Sequence, residues 1–160
     1  QVWLDPHSEM PLWQNRNIGN EVQAQFSVPY VIAVGASALS RGKEWQEPAT
    51  RSSAEIQQLM ERVRFSTHPE FGTAALSNPA AQMARVEVQA KGRTFNKETD
   101  FTRGSATPEI ARVGDEELEA KFRRNALGVI PKQRIGKVIK AIWSLEQLGD
   151  ISKLMSLLAR

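Results

Sequence analysis

At 160 residues and 41% hydrophobic content, the chain has the size of one domain, or of a domain with an appendage, and can fill a sizeable core, which excludes a disordered polymer. Lys and Arg number 21 against 18 Asp and Glu, and no basic run exceeds Arg123-Arg124, so the charge is too interspersed for a nucleic-acid stripe. Without cysteine the chain can supply no disulfide, iron–sulfur cluster or thiolate nucleophile.

Residues 2–4 have the apolar character of a short strand, and a chain that opens on Gln1-Val2-Trp3-Leu4 reads as cut from within a larger protein. Residues 5–20 carry two prolines and no clean period, which predicts loop. Over residues 21–39, Val28, Val31, Ile32, Ala38 and Leu39 are spaced to bury a helix on most sides. Pro29 belongs in a first helical turn, so either Ser27 caps a helix that begins near Val28 or a helix from Asn20 is kinked there; Arg41-Gly42 ends it in both cases. The apolar stretch at residues 28–39 is too short to cross a bilayer, and no signal peptide is visible, so the expectation is a cytoplasmic protein with no membrane partner.

Ser52-Ser53-Ala54-Glu55 offers a serine cap with an acidic first turn, followed by Ile56, Leu59, Met60 and Val63 at helical spacing. Residues 62–66 alternate like a strand, and residues 68–79 are turn-rich. Residues 83–90 alternate through Val86 and Val88, Lys91-Gly92-Arg93 makes a tight connection, and Phe95, Thr99 and Phe101 continue the period of two over residues 94–102, which predicts a β-hairpin. After a loop of small residues at 104–108, the pattern becomes helical. Asp115 opens a helix with Leu118, Phe122, Ala126 and Val129 on one face, stopped by Pro131. A second helix over residues 132–148 buries Ile135, Val138, Ile139, Ile142, Trp143 and Leu145, and a third over 151–158 takes Asp150 as its cap. Strands in the first two-thirds and helices in the last third argue for an α+β fold. The final helices carry wider apolar faces than their own size can hide, so they need a partner.

The two histidines, His7 and His68, sit in loop segments beside proline and read as solvated; no HxxxH or HExxH spacing exists, and without cysteine no zinc set of usual composition can be assembled. A Gly-rich phosphate loop and a GxSxG elbow are absent. Glu116-Glu117 fall in a helix's first turn, where the macrodipole accounts for them. Tyr30, the only tyrosine, lies one helical turn from Ser27. The two hydroxyls on one face can either serve an anionic substrate or developing enolate-like charge, or be consumed by core packing.

The run Ala24-Gln25-Phe26-Ser27-Val28-Pro29-Tyr30-Val31-Ile32-Ala33, followed by Gly42, resembles the FS-x-PY-x-x-A…G signature of the MmgE/PrpD family, which includes 2-methylcitrate dehydratase, cis-aconitate decarboxylase and iminodisuccinate epimerase. Residues 117–126 look like that family's EL-x-x-KF-x-x-NA block, and Ile142-Trp143-Ser144-Leu145-Glu146 with residues 151–158 is similar to its closing helices. The resemblance implies that residues 1–112 form most of an α+β lid with a hairpin-containing antiparallel sheet, and that residues 113–160 are helices returning to a large helical domain. It further implies a cofactor-independent, metal-free lyase acting on a small carboxylate, foremost a dehydratase of the 2-methylcitrate type, with decarboxylation, epimerisation or a non-catalytic assembly role as alternatives. The implied partners are the N-terminal helical half of the same enzyme and a second subunit. Tyr30 is the residue the resemblance implies as catalytic and Ser27 as a substrate-binding companion; Arg16, Arg41 and Arg103 are the candidate carboxylate-binding arginines.

Overall fold

A computed structural model describes residues 1–78, 81–106 and 108–159. The chain divides into two compact units, Gln1–Arg112 and Val113–Arg160, and the fold class is α+β.

In the first unit the sequence around Pro29 resolves into two helices, α1 (Glu21–Gln25) and α2 (Val28–Ala36). Proline lacks an N–H and is tolerated at the start of a helix, and the Ser27 side chain accepts the Tyr30 N–H, so a new helix begins there rather than a kinked one continuing. α2 is shorter than its apolar run. It stops at Ala36, before Arg41-Gly42, because the Ser37 N–H closes onto the carbonyls of Ala33 and Val34 and Ala38 takes a left-handed φ of 60°. A short α3 (Pro48–Arg51) leads into α4 (Ala54–Arg62), whose first turn is capped by Ser53 as the serine pattern predicts. Ala24, Tyr30, Ala33, Val34, Ile56 and Met60 form the core of this helical layer, with Ile18, Trp45 and Leu59 packed around it. Each large side chain so buried contributes roughly 1.5–3 kcal/mol.

Four strands complete the unit: β1 (Val2–Leu4), β2 (Phe65–Thr67), β3 (Ala84–Ala90) and β4 (Arg93–Thr99), in the order β2-β1-β3-β4. The sheet is mixed and not wholly antiparallel as expected, because β1 and β2 run parallel while β1–β3 and β3–β4 are antiparallel. Parallel neighbours need a crossover, and the helices α1 to α4 between β1 and β2 supply it. The hairpin is as predicted. Lys91 and Gly92 both have positive φ, 52° and 70°, which is the signature of a two-residue type I′ turn whose twist matches that of the strands. The turn-rich segment instead contains a helix, α5 (Phe71–Ser77), with no side-chain cap and no buried residue. Pro79 and Thr107, which fall in segments read as turn and loop, lie outside the described residues.

The second unit consists of α6 (Asp115–Ala126), α7 (Lys132–Trp143) and α8 (Ser152–Leu158) around Ala126, Ile130, Ile135, Val138, Ile139 and Leu154. α7 ends at Trp143, short of Leu148, and a 3₁₀ turn over Leu145–Gln147 follows. The Asp150 carboxylate accepts the backbone N–H of Ser152 at 2.8 Å and its hydroxyl at 2.7 Å, which holds its pKa below the usual value. Asp150 thus serves the start of α8 from one residue further out than the helix-capping position.

Candidate functional site

Ser27 and Tyr30 are brought together by the cap at the start of α2, and both are fully buried. The Ser27 hydroxyl donates to the Asn15 carbonyl at 2.5 Å while accepting the Tyr30 N–H at 3.1 Å. The Tyr30 phenol donates to the Trp45 carbonyl at 2.5 Å, and burial raises its pKa above the ordinary value, partly offset by the Arg51 guanidinium. Each hydroxyl therefore joins α2 to a loop of the same unit. Of the three arginines singled out by sequence, Arg16 spans the end of α4, donating to the carbonyls of Met60 and, at 2.9 Å, Val63.

A different cluster arises from sheet register. Ser66, Trp3, Arg85 and Glu98 are consecutive partners across β2, β1, β3 and β4, so their side chains share one face. The Arg85 guanidinium carbon lies over the Trp3 ring at 4.8 Å from its centroid, a cation–π contact. Its opposite number, Glu98, turns instead to His68, with 3.1 Å between Oε1 and Nε2. His68 is not the solvated loop residue that its sequence neighbourhood suggests: it is 3% exposed, and its Nδ1 accepts the Glu70 N–H at 3.2 Å. An N–H donor at Nδ1 requires the neutral ring to carry its proton on Nε2, so His68 donates to Glu98. No sequence pattern announces this cluster, because β1, β2 and the hairpin meet only through the fold.

In the second unit, an apolar groove of about 220 Å³ runs between α6 and α7, lined by Leu118, Glu119, Phe122, Ile139, Ile142 and Trp143. The Glu119 carboxylate accepts the Trp143 indole N–H at 2.9 Å, which satisfies the polar edge of the ring and leaves its body exposed. Among the described residues, no group of three or more His, Asp and Glu side chains is placed to hold a metal ion, and no helix is long and apolar enough to cross a membrane.

A helical layer beside a four-stranded mixed sheet in one unit, and three helices with an open apolar groove in the other, define an α+β chain whose FS-x-PY segment starts α2 with Ser27, Pro29 and Tyr30 buried. Residues 6–145 match the family described as the MmgE/PrpD C-terminal domain, and the chain belongs to that family. No curated protein matches its sequence significantly.

Proposed function

We propose that this chain is the C-terminal portion of a cofactor-independent MmgE/PrpD-type lyase that dehydrates a small di- or tricarboxylate such as 2-methylcitrate. The observation that carries the proposal is the family match over residues 6–145, which covers the first unit from residue 6 onward and continues into the helices of the second unit. The first unit then acts as the lid side of the active site and the second as the helices that return to the large domain. The groove between α6 and α7 supports this, since its apolar walls lack a covering element among the described residues. Dehydration requires a base that removes a proton beside a carboxylate and an acid that assists the departing hydroxyl. In this proposal those groups come from the N-terminal portion. Tyr30 and Ser27, with their hydroxyls bound to Trp45 and Asn15, contribute by fixing the loops of the lid unit against α2.

The test is turnover of 2-methylcitrate, citrate and cis-aconitate by the full chain alone and mixed with a separately produced N-terminal domain, with products identified by mass. Loss of water only in the mixture is the expected result. Turnover by the chain alone would overturn the division of labour. Carbon dioxide release or epimerisation in the mixture would overturn dehydration in favour of those reactions, and absence of any product from all three substrates would reject this substrate class.

A further inference from the structure

We propose that Arg85, set over the Trp3 ring and freed from Glu98 by His68, is a carboxylate-binding group of the lid unit. The inference rests on the small-carboxylate reading above and names the residue that meets the substrate's charge. A cation–π contact engages the charge of a guanidinium without consuming its hydrogen-bond donors. Its five N–H donors lie in the ring plane and point outward, where they match the two oxygens of a carboxylate. Among the described residues, the Arg85 side chain makes no hydrogen bond or ion pair, so its contact with the Trp3 ring leaves its donors for an incoming group. The natural competitor is Glu98, directly opposite on β4, where opposite charges ordinarily pair across strands. The buried His68 removes it. With Nδ1 committed to the Glu70 N–H, the His68 ring cannot rotate without losing that bond, and its Nε2–H holds the Glu98 carboxylate at 3.1 Å. Arg85 is therefore a binding residue and His68 a positioning residue that acts through Glu98. Of the three arginines that sequence alone brought forward, Arg16 differs from Arg85 in that its fork is spent on backbone carbonyls.

The experiment is a citrate titration of the ¹⁵N-labelled full chain, following the Trp3 indole and Arg85 Nε resonances, with sodium chloride of matched ionic strength as a parallel probe. Citrate is expected to shift both resonances, and chloride to do so more weakly because a monatomic ion offers no pair of oxygens to the two donors of the fork. Arg85→Lys keeps the charge but loses the fork and should weaken citrate binding about tenfold, the scale of a charge-assisted hydrogen bond. Glu98→Gln alone should leave it nearly unchanged, because His68 already holds that carboxylate away from Arg85. His68→Ala should weaken it by releasing Glu98 onto Arg85, and the double variant His68→Ala/Glu98→Gln should recover it; a His68 that merely supports the fold would leave the double variant as weak as the single one. Citrate that shifts neither resonance, binding unchanged in Arg85→Lys, or equal response to chloride overturns the proposal, and Arg85→Lys decides it should the His68 variants fail to fold. Arg85-dependent citrate binding without turnover in the mixture of chain and N-terminal domain would leave this inference standing while the reaction assigned above falls. Turnover unaffected by Arg85→Lys would do the reverse.

Discussion

Tyr30 and Trp45 are tied by a hydrogen bond of 2.5 Å from phenol to backbone carbonyl, made inside the helical core of the first unit. The bond and the burial act on the same proton. Burial disfavours the phenolate and raises the Tyr30 pKa above its ordinary value of 10.0, and the Arg51 charge offsets only part of this. A group whose folded pKa is raised contributes stability that is fully present below its unfolded value and is lost as pH rises through the folded one. Because Tyr30 is the sole tyrosine, tyrosinate absorbance reports it directly. The native midpoint should lie above that of the urea-unfolded chain, and Tyr30→Phe should flatten the alkaline limb of the stability curve while costing about 1–2 kcal/mol at neutral pH through the unpaired Trp45 carbonyl. Coincident native and unfolded midpoints would show that the phenol is not buried as described.

Ser27 makes two bonds where an ordinary helix cap makes one, accepting from Tyr30 and donating to Asn15. Ser53 caps α4 with a single, longer bond of 3.5 Å to the Ile56 N–H. Ser27→Ala should therefore cost about 1–2 kcal/mol and Ser53→Ala about 0.5 kcal/mol, the two ends of the range for lost caps. Urea unfolding of the two variants gives the comparison; equal losses would mean that the Asn15 bond contributes nothing.

These two serines were legible in the sequence for a physical reason. A cap is a local device, written as a serine followed by a helical period, and the hairpin is equally local, written as alternation around Lys91-Gly92. The apolar periodicity of α6 and α7 likewise revealed both helices and the surplus face that becomes the groove. Long-range pairing left no such trace. That β1 joins β2 in parallel, and so aligns Trp3 with Arg85 and then Glu98, depends on register between distant segments, and His68 looks like a loop residue until the sheet covers it. α5 was hidden because Gly72, Thr73, Ala74 and Ala75 are small and bury nothing, so no hydrophobic period marks it. Tyr30 and Ser27 were found as a pair by their spacing, but the spacing carried no information about the Asn15 and Trp45 carbonyls that engage them.

The hairpin turn is strained at Lys91, whose φ of 52° places a long side chain in the left-handed region. Asn occupies that region more readily, and Asn-Gly is the favoured pair for a type I′ turn. Lys91→Asn should stabilise the chain by a few tenths of a kcal/mol and up to about 1 kcal/mol, whereas Gly92→Ala, at φ 70°, should destabilise it by about 1 kcal/mol. Thermal unfolding monitored by far-UV circular dichroism separates the two signs, and a loss of stability in Lys91→Asn would contradict the turn assignment.

The groove between α6 and α7 makes a prediction about association. Ile142 is 45% exposed and Trp143 51% exposed, yet both line an apolar surface whose deeper wall, Ile139, belongs to the core. Such a surface should bind an apolar dye such as anilinonaphthalene sulfonate. Ile142→Glu places a charge on its rim and should sharply reduce dye fluorescence while changing stability by less than about 0.5 kcal/mol, because the side chain is already half in water. If the surface is where the second unit meets the rest of the enzyme, the N-terminal domain should displace the dye from the unsubstituted chain and bind the Ile142→Glu variant at least about tenfold more weakly, as expected for a charge left unpaired in an apolar contact. Dye that remains bound at saturating N-terminal domain would place the contact elsewhere on the chain, since the groove cannot hold both occupants at once.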